Sequence, residues 1–215
     1  MLNEVARGAE KLDSQAKTAF QKLGFNPEKP FDARSAGDVS PSSAQDIKAR
    51  IEKVFSPYYT RYVDRLAQTP KGDAGAYFVG KRGESKAMPN LSTELGRAAA
   101  KELSSRGQDG INYRDALPDF SKVSAATVKI DNMGPRRLGK GGNFEQANTC
   151  LAKAFNKRDG GQDWTARKVK AWRKENGYVW HERADMKTMD LVPEAIHKAF
   201  SHSGGVAEVK ARDAR

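Results

Sequence analysis

The sequence predicts an α+β chain, mostly helical, that ends in a strand–loop–strand–helix unit. Three observations point there. Apolar residues recur at helical spacing over long stretches, as at Leu2, Val5, Ala9, Leu12, Ala16, Phe20 and Leu23. Strand-like runs are few, short and mostly late: "ATVKID" from Ala126, "YVWHE" from Tyr178 and "KTMDLV" from Lys187. The composition is also lean for one tight globule of 215 residues, with 38% hydrophobic and 30% charged residues. Part of the chain should therefore be loop or loosely packed helix.

The elements follow in order. The first helix stops at Gly24. "FNPEKPFDARSAGDVSPSS" then reads as a linker or extended loop. A second helix starts near Ser42 or Ser43 and carries Ile47, Ile51 and Val54. Pro57 interrupts it or opens the next helix, with Tyr58, Tyr62 and Leu66. "QTPKGDAG" breaks the pattern, so residues 1–72 read as a helical N-terminal region or linker and 73–215 as the main domain. "AYFVGKRGESKAMPN" is a short apolar run followed by turn residues, and a helix over 92–104 carries Leu95, Ala98, Ala99 and Leu103. "RGQDGINYRDALPDF" reads as loop. After "ATVKID", helices are expected from Phe144 to Phe155 and from an Asp163 cap to Asn176, with Gly177 just beyond. The last two strands follow, and Pro193 opens a short helix.

The formal net charge is +11. A balance this basic favours phosphate-rich partners, acidic proteins or anionic membrane surfaces. No apolar run reaches the roughly 18 residues of a transmembrane helix, so no membrane insertion is expected. The N-terminal residues lack the apolar stretch of a signal peptide, so export would need another device. Cys150 is the only cysteine, which excludes an intrachain disulfide and thiolate-based structural zinc. In "ANTCLAKAF" it reads as a small core residue.

"GPRRLGKGG", from Gly134, nearly matches a phosphate-binding loop, but Gly141 stands where the magnesium-holding hydroxyl belongs. A basic loop touching nucleic-acid backbone through Arg136, Arg137 and Lys140 fits better, and a solvated turn is the alternative. On the helix expected from Asp163 to Asn176, Arg167, Lys170 and Lys174 fall on one stripe, while Trp164, Val169 and Trp172 occupy another arc. The basic stripe suits backbone phosphates, which carry no sequence information.

All three histidines of the chain, His181, His197 and His202, lie within "WHERADMKTMDLVPEAIHKAFSHSGG". A strand pair packed on a short helix brings His181 and His197 together. On an unbroken helix His197 and His202 would point about 140° apart at roughly 100° per residue. They converge only if the helix ends between them, and Gly204 and Gly205 are suited to ending it. Neutral imidazole is a common ligand for divalent ions, and Glu182 beside His181 offers a carboxylate as ligand or base. Neighbouring strand residues face opposite sides, so His181 and Glu182 should differ in role unless the strand ends between them.

The stretch "GYVWHERADMKTMDLVPEAIHKAFSHSGG" resembles the HNH/endonuclease VII superfamily, in the branch with a Trp-His-His or Trp-His-Glu motif. Upstream, "GKRGESKAMP", "PDFS", "VKIDNM" and "NFEQANTCLAKAF" look like the segment before that motif in bacterial polymorphic toxins. The resemblance spans about 76–206 and implies a ββα-metal motif at about 177–205 within a toxin nuclease domain over 73–215. It implies hydrolysis of nucleic-acid phosphodiesters with one divalent ion (zinc, magnesium, manganese or nickel). Carried over, His181, His197 and His202 are the metal ligands, and Glu182 takes the position of the usual histidine base. The reverse assignment, His181 as base with Glu182 helping the metal, stays open. Asp190 matches the middle position of the motif, holding the loop and orienting the base, and Trp180 packs behind the site. The partners implied are DNA or RNA, an acidic immunity protein and a delivery protein or secretion apparatus. Such a toxin leaves its producing bacterium and acts in the cytoplasm of a target cell. Two readings without catalysis compete: a basic nucleic-acid-binding module with structural histidines, and an adaptor that binds an acidic protein.

Overall fold

The computed structural model describes residues 56–215. The helices expected before residue 56 lie outside the described residues. Tyr58–Arg215 form one compact unit, and its α+β character is as the sequence predicts. Its elements are α1 (Tyr62–Ala67), β1 (Ala76–Phe78), β2 (Lys86–Pro89), α2 (Glu94–Ser104), β3 (Ile111–Arg114), β4 (Leu117–Pro118) and β5 (Ala126–Lys129). Then come α3 (Asn143–Asp159), α4 (Ala166–Glu175), β6 (Tyr178–Glu182), β7 (Thr188–Pro193), α5 (Glu194–Ala199) and α6 (Gly205–Asp213).

Two antiparallel sheets organise the unit, β1-β2-β3-β4 and β5-β7-β6. The second sheet is covered on both faces. Its register sets Trp180 opposite Leu191 and Val179 opposite Val192. Trp180, Met189 and Leu191 join one core with Leu151 and Val169 of α3 and α4. Val192 joins the other core, with Ile196, Phe200, Phe120 and Leu103. Every residue of β7 is consequently buried, Asp190 included.

Several expectations hold. β5, β6, β7 and the short helix after Pro193 lie where the sequence places them. The α2 helix is capped by Thr93, whose hydroxyl accepts from Gly96 N. Trp164 and Trp172 pack against the core around Val169, as their arc on α4 suggests.

Other boundaries move. Tyr58 precedes the helix it was assigned to; α1 begins at Tyr62, and the Arg65 guanidinium lies 4.4 Å over the Tyr58 ring. "AYFVGKRGESKAMPN" is a strand pair rather than a run and a turn. "INYRDALP", read as loop, is a hairpin whose turn residues Asp115 and Ala116 sit at φ 53° and 59°. That left-handed turn normally announces itself with Asn-Gly or Asp-Gly, and here it carries Asp-Ala. The α4 cap is Thr165, not Asp163: the Thr165 side chain accepts from Lys168 N. Ala98 is exposed, the inward face of α2 being Gly96, Ala99 and Leu103. Cys150 is not a core residue; it is half-buried, with Sγ 3.4 Å from the Lys129 carbonyl.

The glycine pair also has another job. The α5 helix ends at Ala199, because Phe200 leaves helical geometry at φ −101°, ψ 74°. Gly204 and Gly205 instead begin α6. A Cβ on Gly205 would meet the Arg183 carbonyl at 2.4 Å and Met133 Sδ at 2.5 Å. Only glycine lets α6 approach the end of β6 this closely.

Candidate metal centre

The end of β6 divides its chemistry by strand pleat. His181 and Asp190 are cross-strand partners on the face toward Phe120 and Val192, while Glu182 pairs with Met189 on the opposite face. His197 comes from the last turn of α5, and His202 from the segment after the helix has broken. The break therefore does what convergence requires.

One ligand nitrogen of each histidine lies within 4.8 Å of the other two. The ring centroids are 5.7 Å apart for His181–His197, 4.6 Å for His181–His202 and 4.9 Å for His197–His202. Phe120, 1% exposed, touches all three rings and closes the floor. The His202 Nδ1 lies 2.7 Å from the Phe200 carbonyl oxygen. A carbonyl only accepts, so Nδ1 carries the hydrogen and Nε2 keeps its lone pair.

The surroundings hold the rings neutral. Burial, then the neighbouring His202 and His197, then Arg183 and Arg137 keep His181 well below the usual imidazole range. Burial, with His202 and Arg137 adding, lowers His197 to about 3. Burial lowers His202 to about 4; the Phe200 carbonyl bond opposes this and Arg137 adds to it. Three uncharged imidazoles at neutral pH are the state that binds a divalent ion.

These residues fit a single metal ion. Tetrahedral zinc with nitrogen ligands at roughly 2.0–2.1 Å sets those nitrogens about 3.4 Å apart. Imidazole rotations of about an ångström reach that spacing from the 4.8 Å limit observed. Three protein ligands also leave a position open for substrate.

Glu182 is 4% exposed and bonded at both oxygens. Oε1 accepts from Asn143 Nδ2 at 2.9 Å and Oε2 from Arg137 Nε at 2.6 Å. Asn143, fully buried, also spans Gly134, accepting from its N and donating to its O, both at 2.9 Å. One amide thus fastens the glycine loop to the end of β6. With Asn143 N bonded to Arg136 O and Phe144 N to Arg137 O, the loop presents Arg137 at the site.

A pocket of about 420 Å³ opens on the three imidazoles and is rimmed by Arg137, Glu182, Lys198 and Ser201. Of the basic residues singled out in the sequence, only Arg137 lines it. Arg136 folds back on the Lys140 carbonyl, and both are exposed on the loop. Arg167, Lys170 and Lys174 are exposed on α4, outside the pocket wall. Gly141 N bonds Glu145 at 2.6 Å, so the start of α3 is capped internally rather than open to a nucleotide.

Asp190 makes no bond to His181 or Glu182. Its carboxylate takes Arg183 Nε at 2.5 Å, Arg183 Nη2 at 2.8 Å and Thr127 Oγ1 at 2.7 Å. It ties the chain leaving β6 to β5 and β7, which holds the loop. Trp180 is buried behind the site, its indole N–H bonded to Asn148 Oδ1 at 2.9 Å. Sequence reasoning missed Asn143, Phe120, Lys198 and Ser201. The pairing of Asn143 with Glu182 spans 39 residues and leaves no local signal.

Residues 110–204 match the family model of the DNase/tRNase domain of colicin-like bacteriocins. The matched stretch runs from the start of β3 to Gly204 and holds all three histidines, Glu182, Arg137 and Asn143. This part of the chain is therefore similar to a toxin nuclease domain, a hydrolase acting on nucleic acid. No individual curated protein matches the chain. No helix among the described residues is long and apolar enough to cross a membrane.

Proposed function

We propose that Tyr58–Arg215 is a metal-dependent endonuclease of the HNH, ββα-metal type, which hydrolyses DNA phosphodiesters with little sequence specificity and serves as an antibacterial toxin. The observation that carries this reading is the convergence of His181, His197 and His202, from three separate segments, at the floor of a pocket beside Arg137 and Glu182. The similarity of residues 110–204 to colicin-type nuclease domains supports it.

The three imidazoles would hold one divalent ion, zinc, magnesium, manganese or nickel. When bound, that ion supplies charge relief on the phosphoryl oxygens and stabilises the departing alkoxide. Glu182 is the base: its carboxylate lines the pocket, and each oxygen keeps a lone pair beyond its bond to Asn143 or Arg137. His181 belongs with the ligands, because it meets the other two imidazoles, whereas the Glu182 oxygens are bonded to Asn143 and Arg137. Arg137 is held through Nε, which leaves its Nη groups for a phosphate oxygen. Phe120 keeps the floor dry, and Asp190 with Arg183 fixes the strand end that carries both residues. The exposed stripe Arg167, Lys170 and Lys174 offers phosphates outside the pocket a sequence-blind contact.

RNA is the second reading, favoured by the match to a family whose description covers tRNases as well as DNases. A toxin of this kind is delivered from its producer, acts in the target cytoplasm and is restrained in the producer by an acidic immunity protein. The test incubates purified protein with plasmid DNA and with transfer RNA, with and without EDTA, beside His181→Ala. Nicking of DNA that stops in EDTA and in the variant is expected. Cleavage that persists in either condition, or binding with no cleavage under any divalent metal, would overturn the reading.

A further inference from the structure

A second cleft, of about 230 Å³, lies on the far side of Lys198 and Ser201 from the metal pocket. Those two residues line both cavities, which therefore adjoin at the end of α5. The outer wall is the segment from Ala67 to Ala76, which precedes the stretch matched to the nuclease family.

That wall is firmly built. Arg82 donates to the carbonyls of Leu66, Thr69 and Pro70 at 2.7, 3.1 and 3.1 Å. Asn90 bonds the carbonyls of Gly72 and Gly75, both at 2.9 Å. Gly75 lies directly on α5: a Cβ there would meet Ala199 Cα at 2.4 Å. With the Thr69, Pro70, Gly72 and Gly75 carbonyls occupied, the wall offers the cleft the side chains of Gln68, Lys71 and Asp73. Lys71 is exposed and has no carboxylate partner among the described residues. Among the described residues, Lys198 pairs with solvent-exposed Glu194, an ion pair that water screens.

We propose that this cleft is a second nucleic-acid subsite, which holds the nucleotide next to the scissile phosphodiester. The strand leaves the metal pocket over Lys198 and Ser201, and Lys71 takes the adjacent phosphate. Asp73 can accept from a base or sugar donor, which suits the cleft to a nucleotide. The inference rests on the nuclease reading, and its test separates the two.

The experiment compares the wild-type chain with Lys71→Ala and Lys71→Glu, both at an exposed position, on two substrates with the preferred metal. Bis(p-nitrophenyl) phosphate fills the metal pocket alone, and its hydrolysis should be unchanged. For a single-stranded oligonucleotide about a dozen residues long, KM should rise about fivefold or more in Lys71→Glu. The salt dependence of log kcat/KM should become shallower by about 0.7–1 in Lys71→Ala. An oligonucleotide KM and salt slope equal to wild type in both variants would overturn the subsite. If the wild-type chain hydrolyses neither substrate, the nuclease reading fails instead. Oligonucleotide binding by fluorescence anisotropy then decides the cleft: weaker binding by Lys71→Glu supports it, and equal binding refutes it.

Discussion

The protonation state of the histidine cluster gives the sharpest prediction. Burial and mutual proximity hold His197 at about 3, His202 at about 4 and His181 well below its usual range. Three ordinary imidazoles with pKa about 6.5 would each compete with metal as pH falls from 7 to 5.5. The proton factor 1 + 10^(pKa − pH) rises about eightfold per ring in that window, or roughly 600-fold for three. At pH 5.5 a ring at about 4 is roughly 97% neutral. The folded site should therefore change its metal affinity less than about twofold from these groups. Stability moves differently. Because the folded pKa values lie below the unfolded one, the unfolded chain binds more protons below about pH 6.5. Stability of the metal-free chain is unaffected above that pH. Below it, stability declines by up to roughly 1.4 kcal/mol per pH unit per histidine, until pH reaches the folded values. Calorimetric titration with zinc at pH 7.0, 6.0 and 5.5 reads the first quantity, and urea unfolding of the metal-free chain reads the second. A tenfold or greater loss of affinity at pH 5.5, with circular dichroism showing an intact fold, would refute the account of a pre-neutralised site.

Three substitutions probe the supports of the site. His197→Ala should abolish stoichiometric zinc binding and nuclease activity while shifting metal-free stability by no more than about 2 kcal/mol, read by calorimetry and urea unfolding. Asn143→Ala removes the amide that joins Glu182 to Gly134. It should cost about 2–4 kcal/mol of stability and lower kcat with little change in zinc affinity; equal kcat in the folded variant would count against a positioning role. Gly205→Ala puts a methyl against the Arg183 carbonyl and Met133. It should destabilise by about 1–3 kcal/mol, and an unchanged urea midpoint would show that α6 can shift without cost.

The sequence showed the site more fully than the frame around it. The three histidines and the need for a helix break between the last two were legible, because helical periodicity forbids the alternative. The identity of the breaker was not: Phe200 leaves the helix, and the glycines serve a backbone contact that spacing does not encode. The β3–β4 hairpin was hidden by its Asp-Ala turn, whose left-handed residues are held by bonds to Gly83, Glu84 and Arg65 rather than by a glycine in the turn. The basic groups divided in the same way. Arg136, Arg137 and Lys140 read alike in sequence, yet only Arg137 finds a buried carboxylate, and that partner lies 45 residues away.

The pleat of β6 explains how one short strand supplies two kinds of chemistry. Successive residues face opposite sides, so His181 enters the imidazole cluster and Glu182 enters the polar contact with Arg137 and Asn143. A carboxylate among the imidazoles would draw protons onto them. On the other face, it instead anchors the guanidinium at the pocket rim. Asp190, the carboxylate that shares the His181 face, is taken up by Arg183 and Thr127, and burial with Arg183 and Arg137 nearby keeps the cluster's lone pairs free of protons. The Glu at position 182 therefore belongs to a paired design. It needs the glycine loop, Asn143 and Arg137 to hold it, and these lie on a segment that no local reading of the motif would join to the histidines.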